Sequence, residues 1–106
     1  MTARRVVTSR QADDDIDSAL DYLLTAGRPE TVRAFIDELQ LLRDLLAEFP
    51  SIGSSRFALE THIPGLRDIA MKRFDYVMFS TDDEDAVRVH RLLHSSRDIP
   101  ATLSGR

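Results

Sequence analysis

Phe74-Asp75-Tyr76-Val77-Met78-Phe79-Ser80-Thr81, followed by Asp82-Asp83-Glu84-Asp85 and then by Val87-Arg88-Val89-His90-Arg91-Leu92-Leu93, is the stretch on which the fold turns. Its β-branched and aromatic residues suit a pleated strand. Alternation puts Phe74, Tyr76 and Met78 on one face and Val77 and Phe79 on the other. Both faces are therefore apolar, as in a central strand. The acids Asp82 to Asp85 make a solvated turn, and Val87 to Leu93 is the strand that returns. Leu66 to Met71 precedes them, so three strands follow one another.

Upstream, the period changes. Phe57 to Ile63 adds a short piece to the strand-rich half, limited by Pro64-Gly65. Ser51 to Ser55 is a loop after Pro50. Before it, Val32, Phe35, Ile36, Leu39, Leu42, Leu46 and Phe49 recur at helical spacing and predict a helix from about Pro29 to Glu48. Leu41 and Leu45 widen its apolar stripe. They either enlarge the core face or leave an apolar landing site for a partner. Ala12, Ile16, Ala19, Leu20, Leu23 and Leu24 predict an earlier helix. Thr8 with Gln11 reads as its capping box, and Asp13 to Asp15 suit its positive end. Gly27 and Pro29 close that helix and open the next, which makes an antiparallel hairpin. Arg5 to Thr8 is a short strand. The predicted architecture is α+β: an N-terminal strand, a two-helix hairpin, then a three-stranded antiparallel meander, forming one sheet in a single domain over residues 1–106.

A chain of 106 residues with 42% hydrophobic and 30% charged residues is an ordinary globular domain rather than a disordered segment. Cysteine is absent, which excludes disulfides, thiolate metal sites and a cysteine nucleophile, and fits a reducing cytoplasm. No apolar run approaches a membrane span, and the first residues lack the apolar stretch of a signal peptide. The net charge of −4 resides in the first half, where 10 acids face 6 bases up to Ser55; the remainder carries 8 of each. Nothing in that balance demands nucleic acid.

Several polar groups have two readings. His94 with Arg97 forms a target-binding or catalytic corner, or merely ends a strand, with Arg97 paired to Asp98 or to the C-terminal backbone. Arg67, Arg73, Arg88 and Arg91 form a phosphate-binding surface or a solvated sheet face. His62, His90 and His94 have no metal-site spacing, and no metal or cofactor is expected.

Taken in order, several stretches resemble the ParE toxins of the RelE/ParE superfamily of type II toxin–antitoxin systems. They are Ala12-Asp13-Asp14-Asp15-Ile16 with Tyr22, Phe35-Ile36-Asp37, Phe49-Pro50-Ser51-Ile52-Gly53 with Arg56, Pro64-Gly65-Leu66-Arg67, Phe74 to Phe79, and Arg91-Leu92-Leu93-His94-Ser95-Ser96-Arg97-Asp98-Ile99-Pro100. Ser80 and His90 depart from the pattern, where an aromatic and an aliphatic residue are common. The resemblance implies a growth-arresting toxin held inactive by a cognate antitoxin, ParD-like or other, in a hetero-oligomer. The antitoxin's partly disordered tail folds onto the helical hairpin and sheet, with Leu41, Leu45 and Phe49 as its contacts. The implied target is DNA gyrase, bound through Arg91, His94, Arg97 and Asp98. The other branch of the superfamily cleaves ribosome-bound messenger RNA; here that would fall to Arg67, Arg91, His94 and Arg97. No aromatic follows Phe79, which favours protein binding over RNA cleavage.

Overall fold

The computed structural model describes residues 3–97 and 99–103. In chain order it contains β1 (Val6–Thr8), α1 (Arg10–Ala26), α2 (Pro29–Glu48), α3 (Ala58–Thr61), β2 (Arg67–Ala70), β3 (Tyr76–Asp82), β4 (Val87–His94) and α4 (Ile99–Leu103). The sheet has four strands in the order β1-β4-β3-β2. β2, β3 and β4 form the expected antiparallel meander. The expectation of one wholly antiparallel sheet is corrected at its edge: β1 runs parallel to β4, pairing Val6 with Val87 and Thr8 with Val89. The two turns of the meander return β4 to the direction of β2, and β1 shares that direction after the helical hairpin.

Ser9, not Thr8, caps α1. Thr8 is still in the strand, so the next residue makes the turn. The Ser9 hydroxyl accepts from Ala12 N–H at 3.0 Å and donates to His90 O at 2.8 Å, joining the helix start to β4. Gly27 ends α1 for want of space rather than for a left-handed turn: a Cβ there would meet Leu23 O at 2.8 Å. Pro29 opens α2 as expected. Phe57 to Ile63 holds a helical turn, α3, in place of a strand.

Both faces of β3 are buried. Met78 and Tyr76 pack with Phe74, Phe35, Leu42 and Leu46 beneath the hairpin. Val77 and Phe79 pack on the opposite face with Leu66, Leu93 and Ile99, under Phe57, Ile63 and Leu103. The C-terminal stretch is thus part of the core through α4, a role its hydroxyl-rich sequence does not announce.

Ser80 and His90, the two departures from the family pattern, meet at one irregularity. Phe79 pairs with Arg91 and Ser80 with Val89, which leaves His90 unpaired in a β-bulge. The His90 Nε2 lies 2.8 Å from Thr81 Oγ1. Burial lowers the pKa of His90; Asp83 opposes that shift and Arg88 adds to it. The bulge breaks strict alternation, so Val89 and Leu92, three positions apart, both face the hairpin.

Candidate functional site

A cleft opens where β1 ends. β1 covers β4 only as far as Val89, and beyond that point α1 takes its place. The Asp15 carboxylate does the work of the missing strand. Its Oδ2 accepts from Leu92 N–H at 3.0 Å and from Arg91 Nε at 2.7 Å, and its Oδ1 accepts from Arg91 Nη2 at 3.0 Å. The two side chains are only 15% and 17% exposed, which makes this bidentate pair a shielded brace rather than a surface contact. The Asp15 hydrogen bonds raise the pKa of Arg91 and burial opposes them.

Asp15, Ser18, Ala19 and Tyr22 recur at helical spacing and form one wall of the cleft. Tyr76, Leu92, Leu93, His94, Ser96 and Arg97 form the other, around a volume of about 400 Å³. The His94 ring stands edge-on to Tyr76, with centroids 5.2 Å apart. Ser96 N–H donates to His94 Nδ1 at 3.1 Å, so the lone pair is at Nδ1 and the neutral ring carries its proton on Nε2. His94 is then a hydrogen-bond donor. To act as a base it would have to give up the Ser96 contact. Burial raises the pKa of Tyr76, the neighbouring Tyr22 adds to the rise, and Arg97 opposes it. No carboxylate among the described residues pairs with Arg97.

A second depression lies across the hairpin, between α2 and the edge strand β2. Leu41, Leu42, Leu45, Ile69 and Ala70 line it, together with Asp37, the buried Glu38, Lys72 and Arg73. Glu38 anchors one end by accepting from the backbone N–H groups of Lys72 and Arg73. Leu41 is 54% exposed, and Leu45 is half-buried against the core. Ser54 occupies part of the strand edge, exchanging two backbone hydrogen bonds with Asp68.

The expected site residues therefore divide. His94 and Arg97 share the cleft; Arg91 braces it from behind, paired to Asp15. Asp98 lies outside the described residues. Leu41 and Leu45 share the apolar groove, whereas Phe49, 53% exposed, caps the C-terminal end of α2 and does not line that groove. The arginines with two readings, a phosphate-binding surface or a solvated sheet face, are dispersed. Arg73 pairs with Glu38, Arg88 with Asp83 and Asp85, and Arg91 with Asp15. Arg67 sits on β2, opposite Ser80, away from the cleft. Sequence reasoning passed over Asp15, Ser18, Tyr76 and Ser96 as site residues. The stripe Asp15-Ser18-Tyr22 beside an apolar helix face was the available signal.

A family model described as the ParE toxin of the type II toxin–antitoxin system, parDE, matches residues 6–99. The chain belongs to the ParE toxin family. Among solved structures it is similar to a chain of the chromosomal ParDE toxin–antitoxin system from P. aeruginosa, at 17% identity and a TM-score of 0.69, covering 87% of this chain and 96% of that one. At that identity the likeness concerns the fold. Among curated proteins no sequence relative matches. Among the described residues of this ParE-family toxin, no group of three or more His, Cys, Asp or Glu could hold a metal ion. No helix among them is long and apolar enough to cross a membrane.

Proposed function

We propose that this ParE-family toxin is a binding inhibitor that arrests growth by engaging DNA gyrase in the cytoplasm through the Tyr22–Tyr76–His94–Arg97 cleft. A cognate antitoxin neutralises it by laying an apolar segment along the α2–β2 groove and the sheet, in a hetero-oligomer. The observation that carries this reading is the state of His94. Its Nδ1 is occupied by Ser96 N–H, so the cleft offers donors for recognition and no poised base for chemistry. The groove supports the antitoxin half, because Leu41 places apolar surface in water, next to the half-buried Leu45 and a strand edge that Ser54 covers only in part.

One observation favours a second reading, a ribosome-dependent endoribonuclease. The tail has no aromatic residue, yet the fold brings Tyr22 and Tyr76 to Arg97 and His94. The experiment that separates the two is expression from a tight promoter with labelled thymidine and methionine supplied together. DNA synthesis should fail before translation, and the purified toxin should inhibit supercoiling by gyrase. Specific cuts in ribosome-bound message that vanish in His94→Ala or Arg97→Ala would replace gyrase inhibition by RNA cleavage.

A further inference from the structure

The polar inventory of the cleft limits what it can hold. Asp15 is the one carboxylate among its lining residues, and both its oxygens are taken by Arg91 and Leu92. What remains is rich in donors: the Arg97 guanidinium, the Tyr22 and Tyr76 hydroxyls, His94 Nε2–H and the Ser18 hydroxyl. The Ser96 hydroxyl is held 2.7 Å from His94 Nδ1. Such a lining suits an acceptor-only group that bears charge. The rings of Tyr22 and Tyr76 add apolar surface for a short aliphatic stem.

We propose that the cleft is a receptor for a single carboxylate side chain, aspartate or glutamate, presented by the protein that the toxin inhibits. This rests on the binding-inhibitor reading and specifies its chemistry. Arg97 supplies the countercharge, and the phenols and His94 supply the remaining hydrogen bonds. A nucleic acid fits the surroundings poorly. A phosphodiester chain needs several cations in register, whereas Arg73, Arg88 and Arg91 are each committed to acids of the toxin itself. Asp14, Asp17 and Asp21 on α1 would repel a polyanion, and the chain as a whole carries −4.

The test is nitrogen-15 NMR on the whole toxin, titrated with potassium acetate, with potassium chloride at matched ionic strength, and with inorganic phosphate. Acetate should give saturable shifts confined to Ser18, Tyr22, Tyr76, His94, Ser96 and Arg97. Arg97→Gln should weaken acetate binding about tenfold, the loss expected for one charge-assisted hydrogen-bonding group. Tyr76→Phe should weaken it a few-fold with the ring retained, and both variants should melt with the parent. Acetate shifts no larger than those of chloride overturn the proposal, and so do shifts that survive Arg97→Gln. Phosphate binding more than about tenfold tighter than acetate also overturns it, assigning the cleft to a phosphate ester. Because the probes meet the toxin alone, the outcome is separate from the identity of the target. Acetate binding without inhibition of gyrase keeps the carboxylate site and rejects gyrase.

Discussion

The cleft and the edge strand β2 flank the same sheet, and each holds a shielded acid, yet the two acids are treated in opposite ways. Asp15, behind the cleft, has both oxygens engaged in three hydrogen bonds. Asp68, on the edge strand but on the face away from the groove, meets only Arg56 at 3.4 Å, and its Oδ1 has no hydrogen-bond partner among the described residues. A polar wall must be fully satisfied to hold a shape, because an unmet buried donor or acceptor costs about 1–3 kcal/mol. The cleft obeys that rule and is built to keep one geometry. The outer face of β2 does not, and that strand is held instead by the loop that carries Gly53, Ser54 and Arg56. A braced polar cleft suits selective recognition, and an apolar groove with an exposed Leu41 suits a partner segment that folds as it binds.

The contrast breaks most visibly at Asp15. Asp15→Ala leaves the Leu92 N–H and the Arg91 guanidinium without their acceptor, and should lower stability by about 3 kcal/mol in urea unfolding. A loss below about 0.5 kcal/mol would mean that water takes over the carboxylate's part and that the brace is ornamental. The groove should respond in the reverse sense. Leu41 is exposed, so Leu41→Glu should leave unfolding nearly unchanged while weakening antitoxin binding at least about tenfold, by setting a charge in an apolar contact. Leu45→Glu should weaken binding as well, but with a measurable loss of stability, because Leu45 is partly in the core. Undiminished antitoxin binding by Leu41→Glu would move the antitoxin off this groove.

Much of the fold was legible because hydrophobic period carries it. The two-faced pattern from Phe74 to Phe79 announced a central strand, and the stripe from Val32 to Leu46 announced a helix over a core. What escaped was non-local. Nothing in the order of the elements says that β1 pairs with β4 in parallel rather than closing an antiparallel sheet. The bulge at His90 changes which face every later residue of β4 occupies, and only the adjacent Leu92-Leu93 hints that alternation has failed. The site was half legible for the same reason. His94 and Arg97 are neighbours in sequence, but Tyr22 and Asp15 reach them across roughly 70 residues or more. α4 also changes how the C-terminus can be tested. Truncation after Asp98 would strip Ile99 and Leu103 from beneath Phe79 and confound target binding with folding, so point variants in the cleft are the cleaner probe.

The edge by the groove depends on one backbone position. Gly53 has φ +108°, and a Cβ there would lie 2.6 Å from Asp68 O. Gly53→Ala should therefore cost about 1–3 kcal/mol and loosen the paired hydrogen bonds between Ser54 and Asp68. Amide exchange read at Ser54 and Asp68 should accelerate, with the Asp15 side of the molecule unaffected. Exchange that is unchanged at Asp68 would show that the loop does not hold the strand.

The smallest effect should come from Asp68 itself, and its sign is the informative part. Burial raises the pKa of the Asp68 carboxyl, while the charge and hydrogen bond of Arg56 pull it down, and burial is the larger. A folded-state pKa above the unfolded one means that the native state binds more protons between the two values. The contribution of Asp68 to stability is then fully present below the unfolded pKa and is lost as pH rises through the folded one. Asp68→Asn removes this dependence and leaves a neutral group of nearly the same shape. Relative to the parent, the variant should gain stability as pH rises from about 3 to about 7. The measurement is urea unfolding of both proteins across that range, compared as a difference so that the other acids cancel. If the variant instead loses ground as pH rises, the ion pair with Arg56 outweighs burial. Asp68 would then be a brace like Asp15, and the two regions would differ in the length of their strands rather than in how they treat a buried charge.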